Sequence, residues 1–211
     1  MTSVAPARRK PFVREVLGRS DYAIIGELIE PNTRVLDLGC GEGELLDWLS
    51  TNKNVTGRGV ELDGTRVQRA IARGVSAYQG DIDQGLADYP PDSFDYVILS
   101  QTLQETRHPL AVLRDMLRVA HNAIVAFPNF GHWSVRLSHL ISGRAPKTRT
   151  FPHDWYNSPN IHFFSLRDFD RFCQKMGVTV EKRIPLVKNR VSPVRFAPNL
   201  LAEQAIYVTH R

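Results

Sequence analysis

Short apolar runs alternate with amphipathic stretches along most of this chain, and the two periods mark different elements. Arg34-Val35-Leu36-Asp37-Leu38 has the nearly continuous apolar content of a strand buried on both faces. Comparable runs predict strands near 55–61, at Val75 to Gln79, at Phe94 to Ser100 and at Asn122 to Phe127, where Pro128 stops the last. Between them the apolar positions recur at helical spacing. Ile24, Ile25, Leu28 and Ile29 share one face after a Ser20-Asp21 cap, and Glu44 to Ser50 is a second helix. Asp63 caps a third, Thr65 to Arg73, which Gly74 terminates. Pro109 opens a fourth, with Val112, Leu113, Met116 and Leu117 facing inward. Strands and helices in this alternation predict an α/β, doubly wound, mostly parallel sheet.

Residues 128–160 break the rhythm. An amphipathic piece, His132 to Ile141, gives way to a Gly, Pro and aromatic stretch through Asn160. A segment this long with little regular structure is expected to be an inserted lid or a docking segment. The rhythm resumes at Ser165-Leu166-Arg167-Asp168, a capping box that opens a helix to Met176, which Gly177 ends. Strands near 178–186 and 204–209 then complete a seven-stranded sheet whose C-terminal end is antiparallel.

Composition narrows the class. The 211 residues suffice for one α/β domain and are few for two, so residues 13–211 read as a single domain behind a basic, disordered tail at 1–12. No apolar run reaches the roughly 20 residues of a membrane span, and the start has no apolar core of a signal peptide. Cys40 and Cys173 stand far apart without metal-ligand spacing, so a reduced, cytoplasmic protein without a metal is expected. The net charge of +5 raises the question of nucleic acid. The basic residues, however, fall in short dispersed groups (Arg8-Arg9-Lys10, Arg144 to Arg149, Lys182-Arg183, Lys188 to Arg195), which argues against that partner.

The chemistry concentrates where the first strand ends. Gly39, Gly41 and Gly43 alternate through Leu38-Gly39-Cys40-Gly41-Glu42-Gly43, removing side chains where a helix N-terminus opens. The second strand ends in Gly59-Val60-Glu61, an acid about 20 residues on, where doubly wound folds grip ribose hydroxyls. A dinucleotide fingerprint would read GxGxxG; here Glu44 takes the place of its third glycine. Asp37 and Glu42 add two carboxylates beside the loop, which suit a ligand carrying an ammonium better than a pyrophosphate. The acidic hairpin DxGxGxG resembles motif I of the class I S-adenosylmethionine (SAM) dependent methyltransferases.

That resemblance implies a Rossmann-like fold and a set of cofactor residues. It implies that the turn Asp37, Gly39, Cys40, Gly41 and Gly43 cradles the cofactor, that Glu61 accepts from both ribose hydroxyls, and that Leu62 follows it at the site. Asp81 in Gln79-Gly80-Asp81-Ile82 would accept from the adenine amino group, with Ile82 against the adenine face. Ser100 and Gln101 would line the methionine end. Methyl transfer is an in-line displacement in which the protein mainly orients the acceptor. Nitrogen or oxygen acceptors also call for a base. His108, His132, His153, Tyr156 and His162 are the candidates, each better suited to a capping, packing or surface role, so no catalytic residue is assigned.

Several stretches resemble the MetW family of methionine biosynthesis proteins more closely. They are Arg34 to Leu46, Phe94-Asp95-Tyr96-Val97-Ile98-Leu99-Ser100-Gln101-Thr102-Leu103-Gln104, Thr106-Arg107-His108-Pro109 and Phe127-Pro128-Asn129-Phe130-Gly131-His132-Trp133. Trp155-Tyr156 and Pro159-Asn160-Ile161-His162 extend the similarity, which spans about 32 to 185 and leaves out the N-terminal arm and the Pro193 to Pro198 stretch. The resemblance implies SAM (or its product S-adenosylhomocysteine) as cofactor. It also implies a supporting role toward homoserine O-acyltransferase, MetX, in L-methionine biosynthesis. The alternatives are an active methyltransferase on a small-molecule acceptor and, from charge alone, nucleic-acid methylation. The oligomeric state is not indicated.

Overall fold

The computed structural model describes residues 19–188, 190–191 and 196–211. The expected basic tail at 1–12 lies outside the described residues, as do positions 193–195 of the Pro193 to Pro198 stretch.

Among the described residues eight strands form one sheet: β1 (Arg34–Leu38), β2 (Thr56–Glu61), β3 (Ala77–Gln79), β4 (Phe94–Ser100), β5 (Ala120–Pro128), β6 (Thr179–Val187), β7 (Arg190–Val191) and β8 (Gln204–His210). Their order is β3-β2-β1-β4-β5-β8-β6-β7. The pairs among β1 to β5 are all parallel, whereas β8 lies antiparallel between β5 and β6. The doubly wound, mostly parallel sheet with an antiparallel C-terminal end is the one the alternation predicts. The eighth strand, β7, is a two-residue addition whose length is too short to leave a periodic signal.

Seven α-helices among the described residues accompany the sheet: α1 (Ser20–Leu28), α2 (Glu44–Lys53), α3 (Gly64–Ala72), α4 (Pro109–Val119), α5 (Trp133–Ser142), α6 (Leu166–Met176) and α7 (Pro198–Leu201). Side chains alternate across each strand, so β4 sends Val97 and Leu99 toward α4 and α6, and Ile98 toward α1 and α2. Fully burying such a residue contributes about 1.5–3 kcal/mol, and the central strands do so on both faces. Phe127 anchors the first layer, with ring centroids 4.8 Å from Phe169 and 5.5 Å from Tyr207. No helix among the described residues is long and apolar enough to cross a membrane.

Local signals hold where capping geometry is explicit. Asp63 accepts from the amides of Thr65 and Arg66, and Ser165 and Asp168 form the reciprocal capping box of α6. The expected Ser20-Asp21 cap differs. The N-cap of α1 is Arg19, with no side-chain cap, and the Asp21 carboxylate turns instead to Arg19 and Ser100. The third strand is shorter than expected because the Val75 amide bonds the Ala70 carbonyl and closes α3. His132 caps α5 rather than beginning it.

From β1 the chain turns to β2 on one side, while β4 pairs with β1 on the other. The loops after β1 and β4 therefore part at the C-terminal edge of the sheet, the crevice where open α/β folds take ligands.

Candidate functional site

The loop after β1 is built from three left-handed glycines, each needed for a different reason. Gly39, Gly41 and Gly43 have φ of +75°, +58° and +78°. A Cβ on Gly39 would stand 2.6 Å from Thr102 Oγ1, and one on Gly43 3.0 Å from Val75 Cγ2. At Gly41 a Cβ would meet nothing within 4 Å, because that position borders open space. The loop is tied to β2 by the Gly39 and Cys40 amides, which both donate to the Val60 carbonyl at 2.8 and 3.1 Å. Gly43 then serves as the N-cap of α2.

Glu61 closes β2 against this loop. Its side chain is only 8% exposed, Oε2 accepts from the Gly41 amide at 2.9 Å, and Oε1 accepts from the Asp63 amide at 3.1 Å. Two amides fix the carboxylate, and each oxygen retains capacity for a further bond. Asp81 follows β3 and accepts from the Asp83 amide at 3.0 Å, capping a short 3-10 turn over Ile82–Gln84. Asp83 in turn accepts from the amides of Arg107 and His108, both at 2.8 Å, which ties that turn to the start of α4.

A charged network holds the other end. The Ser100 hydroxyl donates to Asp21 Oδ2 at 2.6 Å and accepts from Arg19 Nη2 at 3.2 Å. Arg19 also pairs with Asp21 at 2.6 Å, donates to the Tyr22 hydroxyl at 2.9 Å, and lies 4.0 Å over the Tyr22 ring. Next to Ser100, Gln101 takes φ of +58°, a left-handed conformation uncommon outside glycine.

These elements enclose a cavity of about 410 Å³. Of the sequence-predicted residues, Gly39, Gly41, Glu61, Leu62, Asp81, Ile82, Ser100 and Gln101 line it. Asp37, Cys40 and Gly43 stand behind the lining. The Cys40 side chain is buried over Gly59, where an added Cβ would fall 2.4 Å from Cys40 Sγ, and burial pushes its thiol up to about 12. Glu42 turns outward to pair with Arg69 of α3 and does not line the cavity.

Asp37 is 2% exposed, and its Oδ2 has no hydrogen-bond partner among the described residues. Burial pushes its carboxyl up to about 7; Arg19 opposes the shift, and the charges of Glu61, Asp21 and Glu44 add to it. A buried carboxyl that Arg19 only partly compensates, just behind a glycine loop, has an environment that favours a further cation nearby.

Sequence reasoning missed Arg19, Tyr22, Arg66, Glu105 and Pro159, which also line the cavity. Arg19 carries one available signal, a cation at the start of the helix that precedes the glycine loop. Burial raises the Glu105 carboxyl above its ordinary value, with Arg66 opposing and Glu61 reinforcing the shift. The five candidate bases lie elsewhere. His108 begins α4, His132 caps α5, His153 lines a separate aromatic cavity, Tyr156 is exposed, and the His162 amide donates to the Gln104 carbonyl.

A family profile described as "Methionine biosynthesis protein MetW" matches residues 19–209, wider than the 32–185 read from the motifs and including the Pro193 to Pro198 stretch. A bifunctional methionine biosynthesis protein MetXA/MetW of Rhodopirellula baltica is 33% identical over 203 residues, covering 90% of this chain. The chain spans 32% of that relative's length. A ubiquinone biosynthesis O-methyltransferase of Neisseria meningitidis is 25% identical over 172 residues, covering 77% of this chain and 70% of its own. Among solved structures, an S-adenosylmethionine dependent methyltransferase from Mesorhizobium loti superposes with a TM-score of 0.68 at 17% identity, covering 92% of this chain and 99% of its own. That likeness shows the fold.

Proposed function

The chain belongs to the MetW family of methionine biosynthesis proteins, and on that footing we propose that it binds SAM in the 410 Å³ cavity and supports a MetX-type homoserine O-acyltransferase. The observation that carries the cofactor half is Glu61, a buried carboxylate fixed by the Gly41 and Asp63 amides at the edge of a loop that leaves room over Gly41.

The residues fit the cofactor part by part. Glu61 accepts from the two ribose hydroxyls. Asp81 accepts from the adenine amino group while Ile82 and Leu62 supply apolar wall. Arg19, held by Asp21 and Ser100, offers a guanidinium to the amino-acid carboxylate. Asp37 favours the ammonium by its charge. When bound, SAM supplies an activated methyl group on a sulfonium.

The partner half is supported by the bifunctional relative, whose name joins MetXA to MetW. Purified acyltransferase would be assayed for acyl transfer alone, with the chain, and with the chain plus SAM. The rate should rise on mixing and respond to SAM. A rate indifferent to the chain at every ratio would defeat the supporting role.

A second reading, methyl transfer to a small acceptor, is favoured by Glu105. Its carboxyl lines the cavity with its acidity weakened by burial, as a general base requires. Acceptor-dependent formation of S-adenosylhomocysteine, lost in Glu105→Gln with SAM affinity retained, would establish it.

A further inference from the structure

Helix α5 presents its apolar face to solvent. Trp133, Leu137, Leu140 and Ile141 recur at i, i+4, i+7 and i+8, and therefore share one face. All four are exposed, Leu140 by 82% and Ile141 by 76%; Val135 alone in the helix is buried. A ten-residue helix is marginal by itself, yet this one is well secured. The His132 ring accepts from the Ser134 amide, Arg136 Nε donates to the Gly131 carbonyl at 2.7 Å, and left-handed Gly143 closes the C-terminus with its amide on His139. A capped helix whose apolar face has no partner among the described residues marks an interaction surface. None of its residues lines the 410 Å³ cavity, whereas Pro159 does. The inserted segment thus divides into a cavity wall near 159 and an outward helix.

Charge narrows what covers this face. Between His132 and His153 the chain carries Arg136, Arg144, Lys147 and Arg149 and no carboxylate. The next acid, Asp154, is paired with Lys147 at 3.0 Å. Pairing with a second copy would set the same basic segment against itself, with Asp154 already engaged by Lys147. The complement is a different protein, with an apolar strip edged by carboxylates.

We propose that the outer face of α5 is the surface on which the MetX-type acyltransferase docks; this rests on the partner reading above. The fused relative supports the choice of occupant, since its name places both activities in one protein. Leu140 and Ile141 fill the apolar strip, and Arg144 meets the acidic rim.

The test is binding of the full chain to immobilised, purified homoserine acyltransferase, comparing wild type with Leu140→Asp, Ile141→Asp and Arg144→Glu. The two apolar positions are exposed, so the fold and SAM affinity should be unchanged, which calorimetry checks. Each aspartate should weaken binding at least tenfold, and Arg144→Glu should weaken it and flatten its salt dependence. Equal binding by all variants would overturn the docking surface and leave the partner reading standing. Absence of binding by wild type would overturn both. A dimer, or adsorption to phosphatidylserine vesicles, that is lost in Leu140→Asp would assign the face to another occupant and overturn the proposal.

Discussion

Replacing Asp37 by asparagine should make the ligand-free protein more stable at neutral pH and a poorer binder. The carboxyl is buried, Oδ2 has no partner among the described residues, and its pKa is pushed from 3.8 up to about 7, chiefly by burial. The shift of roughly three units corresponds to about 4 kcal/mol. The folded chain holds this proton more tightly than the unfolded chain does. The stabilisation is therefore complete below about pH 4, falls as pH rises toward 7, and is flat above. Asparagine cannot ionise, but its amide needs partners of its own, at a cost of about 1–2 kcal/mol. Asp37→Asn should be slightly less stable than wild type at pH 4 and about 2–3 kcal/mol more stable at pH 8. The difference should swing by about 4 kcal/mol across that range. Urea unfolding at pH 4, 5.5, 7 and 8 without ligand reads it directly. A constant offset between the two proteins at all four pH values would refute the reasoning. SAM affinity should rise between pH 6 and 8 in wild type, as the ionised carboxylate meets the ammonium, and stay weak and flat in the variant.

Three further outcomes follow from the same geometry. Arg19→Ala leaves the buried Asp21 carboxylate without its cation, so unfolding should cost about 1–3 kcal/mol less and SAM should bind at least tenfold more weakly; calorimetry and urea titration separate the two effects. Gly41→Ala meets no steric clash but must adopt φ of +58°, so stability should fall by only about 1–2 kcal/mol while SAM binding drops far more, the methyl group standing in the cavity. Burial pushes the thiols of Cys40 and Cys173 up to about 12 and about 11, so the native protein should resist iodoacetamide at pH 8 and take up two equivalents on unfolding; rapid native alkylation of Cys40 would place it at the cavity after all.

What could be read from the sequence is what depends on near neighbours. The β1 and β4 boundaries, the Asp63 cap and the Ser165–Asp168 box are set within a few residues, and they appear where expected. The glycine loop and Glu61 were legible because their spacing follows from strand–turn–helix geometry. Arg19 was not, since its place at the cavity depends on Ser100, 81 residues away. Cys40 sits between two cavity glycines, and that its side chain occupies the space over Gly59 depends on the neighbouring strand, which the spacing does not disclose. The helical period of α5 was plain in the sequence, whereas the direction of its apolar face depends on what it packs against. The insertion could therefore be read as a lid or a docking segment alike.

The central claim, a SAM site built around Glu61, is tested by calorimetric titration of the ligand-stripped chain with SAM and S-adenosylhomocysteine beside Glu61→Ala. Charge-assisted hydrogen bonds contribute about 1.5–3 kcal/mol each, so losing two should weaken binding by roughly two to four decades. The expected result is micromolar binding by the wild type that disappears in a still-folded variant. A folded wild type that binds neither ligand, or a Glu61→Ala variant that binds as tightly as wild type, would contradict the account.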